Sequence, residues 1–240
     1  NNFTNISGKS QQRNNLFNFW CGGRITIENN TFLAVMFDGM IFSVLNKVCE
    51  SRLPSITPAG GTILVRSNHI IGADAPKPDE PRPPFNNTGF FELEALSIQR
   101  FDFSSNIISQ CNTFNRGFVD ISITNFDVEE FTITNNHFMW NKLSLRNSLK
   151  ANFFNFRYIT DSEHSRAISF EKNTFAGNNI EGDAFFTGSL LSLIPSLFQF
   201  EGLHCNIILE EFNFLGNVYR PHGFLAAITA ASVVIKNSNL

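Results

Sequence analysis

Apolar residues recur along this chain in one spacing that is written out seven times. ITIENNTF at 25–32, ILVRSNHI at 63–70, LSIQRFDF at 96–103, FTITNNHF at 131–138, ISFEKNTF at 168–175, IILEEFNF at 207–214 and VVIKNSNL at 233–240 align without a gap. The first, third and eighth columns are apolar in every copy, as in Ile25, Ile27 and Phe32 or Ile168, Phe170 and Phe175. Alternation across the first three columns is the period-2 signature of a strand with one buried face. Columns four and five are polar nearly throughout. The sixth is Asn30, Asn68, Asn136 and Asn173 in four copies, with Phe101, Phe212 and Ser238 in others. Three residues past the eighth column Asn returns, giving F-x-x-N at Phe103/Asn106, Phe138/Asn141, Phe175/Asn178 and Phe214/Asn217. The residue before that Asn is small (Ser105, Gly177, Gly216), with Trp140 the exception.

Copies start 26 to 39 residues apart, a period that helical arrays share, so residue type decides. Ile-Thr-Ile, Ile-Ser-Phe and Val-Val-Ile are strand formers, Asn-Asn punctuates turns, and no window holds a 3.6-residue apolar stripe. The expected fold is all-β: a single-stranded right-handed parallel β-helix of about seven coils, the hand following from the rule for parallel crossovers. FFELEA at 90–95 and DISITNF at 120–126 supply further short strands. ADAPKPDEPRPPF at 73–85 is a Pro-rich loop insertion, because the repeat resumes after it. The apolar run at 189–200 reads as a buried strand or a short helix. Residues 1–21 form a lead-in or a further partial coil, with LFNFW at 16–20 pairing onto the first full coil. Residues 22–240 form the β-helix domain, which is expected to continue beyond 240 in a longer parent protein.

Composition sharpens this picture. Phe occurs 28 times against 2 Tyr and 2 Trp, and Asn is comparably abundant. Stacked coils lie about 4.8 Å apart, so equivalent residues form ladders. Stacked Phe fills a wide interior, and stacked Asn can satisfy polar groups at a tight inward turn. The other reading of the Asn residues is that they are solvated turn formers. A net charge of −3 gives no electrostatic case for nucleic acid or an anionic membrane, and no run of 18 apolar residues suggests a membrane helix or direct membrane contact.

Candidate chemistry is sparse. Sequons at Asn2, Asn5, Asn29 and Asn86 are candidate N-glycosylation sites, with Asn29 in an outward column and Asn86 at the edge of the Pro-rich loop. Cys111 and Cys205 are separated by roughly three coil rises, about 14 Å, beyond the ~7 Å reach of a disulfide. Cys21 and Cys49 flank one coil and can bridge, so one disulfide with two isolated thiols is expected. The outward columns mix signs in neighbouring coils, as with Glu28 over Arg66. The densest acids, Asp120, Asp127, Glu129 and Glu130, need not converge, and His69 and His137 share a column two coils apart. No catalytic residue, metal site or cofactor is assigned.

ISFEKNTFAGNNIEGDAFF at 168–186, with the F-x-x-N copies above, resembles the repeats of the chlamydial polymorphic outer membrane proteins and of large β-helical surface proteins of protists. The G-G-A-I half of that pattern is weak here, at GGRI (22–25) and GGTI (60–63). More distantly the chain is similar to the pectate-lyase-like superfamily. The resemblance implies an extracellular, cell-surface β-helix, and the reading taken forward is a non-enzymatic structural or adhesive shaft within a larger glycosylated or filament-forming protein. Expected partners are other coils or domains of the same parent, further copies, or surface glycans, and not nucleic acid. The alternative is a polysaccharide-binding or -cleaving enzyme whose site lies on loops or outside this segment.

Overall fold

The computed structural model describes residues 1–4, 15–19, 23–35, 38–45, 61–72, 87–95, 98–114, 117–124, 130–145, 152–159, 166–182, 196–220 and 224–239. Among these every ordered element is a strand, and every strand pairing is parallel. Strands adjacent in a sheet are not consecutive in sequence. Each pairs with its counterpart one repeat away, so the strands stack in curled sheets compatible with a parallel β-helix.

One complete repeat shows the layout. The strand Val119–Thr124 runs along one face, and Glu130–Thr134 returns along the next. The short strands His137–Met139 and Lys142–Leu145 follow, each after a two-residue turn. Counterparts of His137–Met139 build a seven-stranded sheet, and those of Lys142–Leu145 a four-stranded one. The other two faces join into a twelve-stranded sheet because Ser196–Glu210 is continuous across both. The apolar run at 189–200 is therefore strand from 196 onward.

Alternation puts columns one and three inside, as in Glu130–Thr134, where Ile133 is buried. Phe32, Phe103, Phe138, Phe156, Phe170 and Phe175 are among the fully buried rings. Along the stack, rings in one column lie parallel: Phe3 on Phe32 at 4.6 Å and Phe138 on Phe175 at 4.7 Å between centroids, both pairs within 8° of parallel. Across the interior they meet edge to face, as Phe170 does with Phe198 at 5.0 Å and 82°. Both geometries suit the ring quadrupole, and each pair adds about 0.5–1.5 kcal/mol beyond area burial.

One expectation is corrected. LSIQRFDF is not the third copy of the unit. Strand pairing sets Phe101 beside Ile63 and Phe131, and Phe103 beside Val65 and Ile133. The copy is FDFSSNII at 101–108, five residues later, so Phe103 stands in the third column and Asn106 in the sixth. Phe103/Asn106 thus stands outside the register of the other F-x-x-N pairs, and Cys111 takes the later Asn position in that repeat. Both frames put apolar residues in the required columns, but only the later one puts Asn106 between Asn68 and Asn136. The lead-in pairs as a partial repeat: Asn2–Thr4 lies beside Thr31–Leu33, which makes Phe3 an eighth-column residue. Phe17–Phe19 pairs with Phe42–Val44.

Candidate functional site

Two turns recur among the described repeats, and most combine a left-handed residue with an inward polar one. At the first turn Asn29, Ser67, Ser105, Asn135 and Lys172 have φ of 51–57°, and the residues that follow are the buried Asn30, Asn68, Asn106, Asn136 and Asn173. At the second, Gln110, Trp140, Gly177 and Gly216 have φ of 53–62° and precede Cys111, Asn141, Asn178 and Asn217. A single left-handed residue turns the chain sharply without a long loop. The turning residue keeps its bond to the next repeat, as when Ser105 N–H donates to the Thr134 carbonyl at 3.0 Å.

The Asn side chains then form two continuous ladders. Asn30, Asn68, Asn106 and Asn136 each donate through Nδ2 to the Oδ1 of the next Asn at 2.9–3.0 Å. Their backbone N–H groups donate to the same oxygens at 3.0–3.2 Å. The second Nδ2 hydrogen goes to a carbonyl one repeat back, from Asn68 to Ile27, Asn106 to Val65 and Asn136 to Phe103. Asn1 adds a further member by donating to Asn30 Oδ1 at 3.0 Å. The second ladder repeats the pattern: Cys111 N–H donates to Asn141 Oδ1, Asn141 to Asn178 and Asn178 to Asn217. Each interior amide thus uses both donors and accepts twice, which is why it tolerates burial. The first ladder stops at Asn173, whose Nδ2 turns to the Glu171 carbonyl at 3.1 Å because Phe212 follows in that column.

Around Arg66 the outward face is ionic. Arg66 Nε donates to Asp102 Oδ2 at 2.9 Å, Arg66 Nη1 lies 3.6 Å from Glu28, and Ser104 Oγ donates to Asp102 Oδ1 at 2.6 Å. The Asp102 hydrogen bond leads in raising the Arg66 guanidinium above its already high value. Asp102 escaped sequence reasoning because the misplaced frame put it outside the strand columns. Arg100 pairs with Glu130 at 3.0 Å, and Asp120 accepts from Asn155 at 2.9 Å; Asp127 and Glu129 lie outside the described residues. Ile107 stands between His69 and His137 in their shared column, and burial lowers the His137 pKa. Among the described residues no group of three or more His, Cys, Asp and Glu could hold a metal ion.

Cys111 and Cys205 are free and buried, and burial pushes their thiols up to about 12 and about 11. Cys21, Cys49, Asn5, Asn86 and the loop 73–85 lie outside the described residues. Asn2 and Asn29 are exposed. No helix among the described residues is long and apolar enough to cross a membrane. No family model, curated protein or solved structure matches the chain. The likeness to the chlamydial and protist repeats is therefore a likeness of pattern, and of its F-x-x-N copies Phe138/Asn141, Phe175/Asn178 and Phe214/Asn217 are the three that share one register.

Proposed function

We propose that this chain is a right-handed parallel β-helix of about seven coils that serves as a structural or adhesive shaft of an extracellular, cell-surface protein. The observation that carries the reading is the unbroken register of the first Asn ladder from Asn1 to Asn173. Such a ladder couples each repeat to its neighbours through buried bonds, so bending or sliding any repeat breaks several at once. That is the mechanical property a shaft needs. The outward face adds short-range ion pairs such as Arg66 with Asp102 and Arg157 with Glu201, which spend their carboxylates on neighbouring cations. Partners on this reading are further coils or domains of the same parent, other copies, or surface glycans, with N-linked sugar at Asn29 and Asn86.

Labelling intact cells that carry the parent protein with an impermeant amine reagent tests the location. Reaction of lysines in this segment without lysis is expected; labelling only after lysis overturns the reading. Incubation with acidic polysaccharides is expected to release no unsaturated or reducing product, and sustained turnover would replace the shaft by an enzyme.

A further inference from the structure

The second turn places one residue per repeat in the left-handed region, and successive repeats fill it with Gln110, Trp140, Gly177 and Gly216. Glycine suits that backbone, whereas a bulky aromatic at φ 53° is an outlier that costs about 1 kcal/mol or more. Trp140 does not offset this by filling the core. It is 61% exposed, the one large aromatic among the described residues that stands so far in solvent. Its ring is nevertheless seated. A β-carbon on Gly177 would stand 2.6 Å from Trp140 Cδ1 and 2.9 Å from Nε1, so the pyrrole edge rests on the bare glycine of the next repeat. Half-buried Met139 and Ala176 border the ring.

We propose that Trp140, seated on Gly177, is a stacking platform for a pyranose ring of a neutral glycan. The C–H face of a pyranose packs on an indole while its hydroxyls stay hydrated, and this small apolar patch in polar surroundings matches that division. Exposed Gln110, one repeat (about 4.8 Å) to the other side, can hydrogen-bond a hydroxyl of the same sugar. Other ligands fit less well. A protein partner would bury about 800 Å² per side, more than one indole and two apolar neighbours supply. A quaternary ammonium calls for a cage of several aromatics, and the net charge of −3 disfavours nucleic acid. The proposal names a ligand class for the adhesive role above and rests on that reading.

With 2 Trp in the chain, Trp20→Phe leaves Trp140 as the sole indole reporter. Its fluorescence is followed during titration with β-1,4-linked glucose, N-acetylglucosamine and mannose oligosaccharides up to about 20 mM. At least one is expected to give a saturable change with a dissociation constant of about 0.1–5 mM, the strength of a single stacking contact. Because Trp140→Ala in that background removes the reporter, its binding is read by ligand-observed NMR. There it is expected to be at least tenfold weaker, with circular dichroism unchanged. Gln110→Ala, which removes the neighbouring side-chain amide, is expected to weaken binding while leaving the indole in place. No saturable change with any of the sugars overturns the proposal, as does undiminished binding by Trp140→Ala. Neither result alters the surface labelling that tests the shaft.

Discussion

Replacing Asn136 with Ala probes the ladder where its consequences can be counted. Asn136 shows 0% exposure. Its Oδ1 accepts from Asn106 N–H and Asn106 Nδ2, both at 3.0 Å, and its Nδ2 donates to the Phe103 carbonyl at 2.8 Å and to Asn173 Oδ1 at 2.9 Å. Alanine deletes all four bonds. Asn173 Oδ1 keeps the bond from the residue 136 backbone N–H at 3.1 Å, so it is not stranded. The Asn106 N–H and one Asn106 Nδ2 hydrogen are left buried without a partner, while the Phe103 carbonyl keeps its place in the strand ladder beside Ile133. Each stranded group is destabilising by about 1–3 kcal/mol, and water entering the space of the lost amide recovers part, so the expected loss is about 2–4 kcal/mol. Asn136→Leu leaves the same groups bare and admits no water, so it is expected to lose at least as much. Urea unfolding followed by far-ultraviolet circular dichroism, with hydrogen exchange at the Asn106 amide, reads both variants. The Asn106→Ala/Asn136→Ala double variant is expected to lose less than the sum of the singles by about 1–2 kcal/mol, because each single strands the other's partner. A loss below about 1 kcal/mol for Asn136→Ala, with the Asn106 amide still protected, would falsify the ladder as a source of stability and leave these Asn residues as turn formers.

Other perturbations reach different parts of the molecule. Arg66→Met leaves Asp102 buried without its cation and is expected to destabilise by about 1–3 kcal/mol, whereas Arg66→Met with Asp102→Asn recovers most of it; equal losses for the two would refute the pairing. Phe175→Ala opens a cavity beneath the rings of Phe138 and Phe214 and is expected to lower stability by about 3–5 kcal/mol in the same urea experiment. The Cys111 thiol, raised from 9.0 to about 12 by burial, holds its proton more tightly folded than unfolded. Its contribution is thus fully present below pH 9 and lost as pH climbs toward 12, at up to about 1.4 kcal/mol per pH unit; Cys111→Ala is expected to flatten that slope. In the native protein at pH 8 neither Cys111 nor Cys205 is expected to react with iodoacetamide, and rapid alkylation by mass spectrometry would contradict their burial.

By itself the sequence determined the strand, its inward columns and its turns, because these depend on chemistry within about ten residues. Ile25, Ile27 and Phe32 alternate as a half-buried strand must, and Asn30 after a turn residue needs no distant partner to be recognised. The F-x-x-N residues Phe138/Asn141, Phe175/Asn178 and Phe214/Asn217 were legible for the same reason. Tertiary structure decided what depends on a neighbour one repeat away. At 96–108 an alternating pattern accepts two frames, and nothing local separates Leu96, Ile98 and Phe103 from Phe101, Phe103 and Ile108. The choice falls to Asn106, which can bond Asn68 and Asn136 in one frame only. Asn1 and Phe3 likewise belong to a copy too short to show a period, and they are recognised by the ring of Phe32 and the amide of Asn30 against which they lie. Asp102 falls outside the strand columns of the 96–103 frame; in the frame set by strand pairing it is an outward strand residue, buried against Arg66 of the preceding repeat. Trp140 reads as an exception in a small-residue column, and only the bare Gly177 beside it shows where the indole rests. Period-2 alternation says which side of a strand faces inward; the bonds between repeats set which residue meets which.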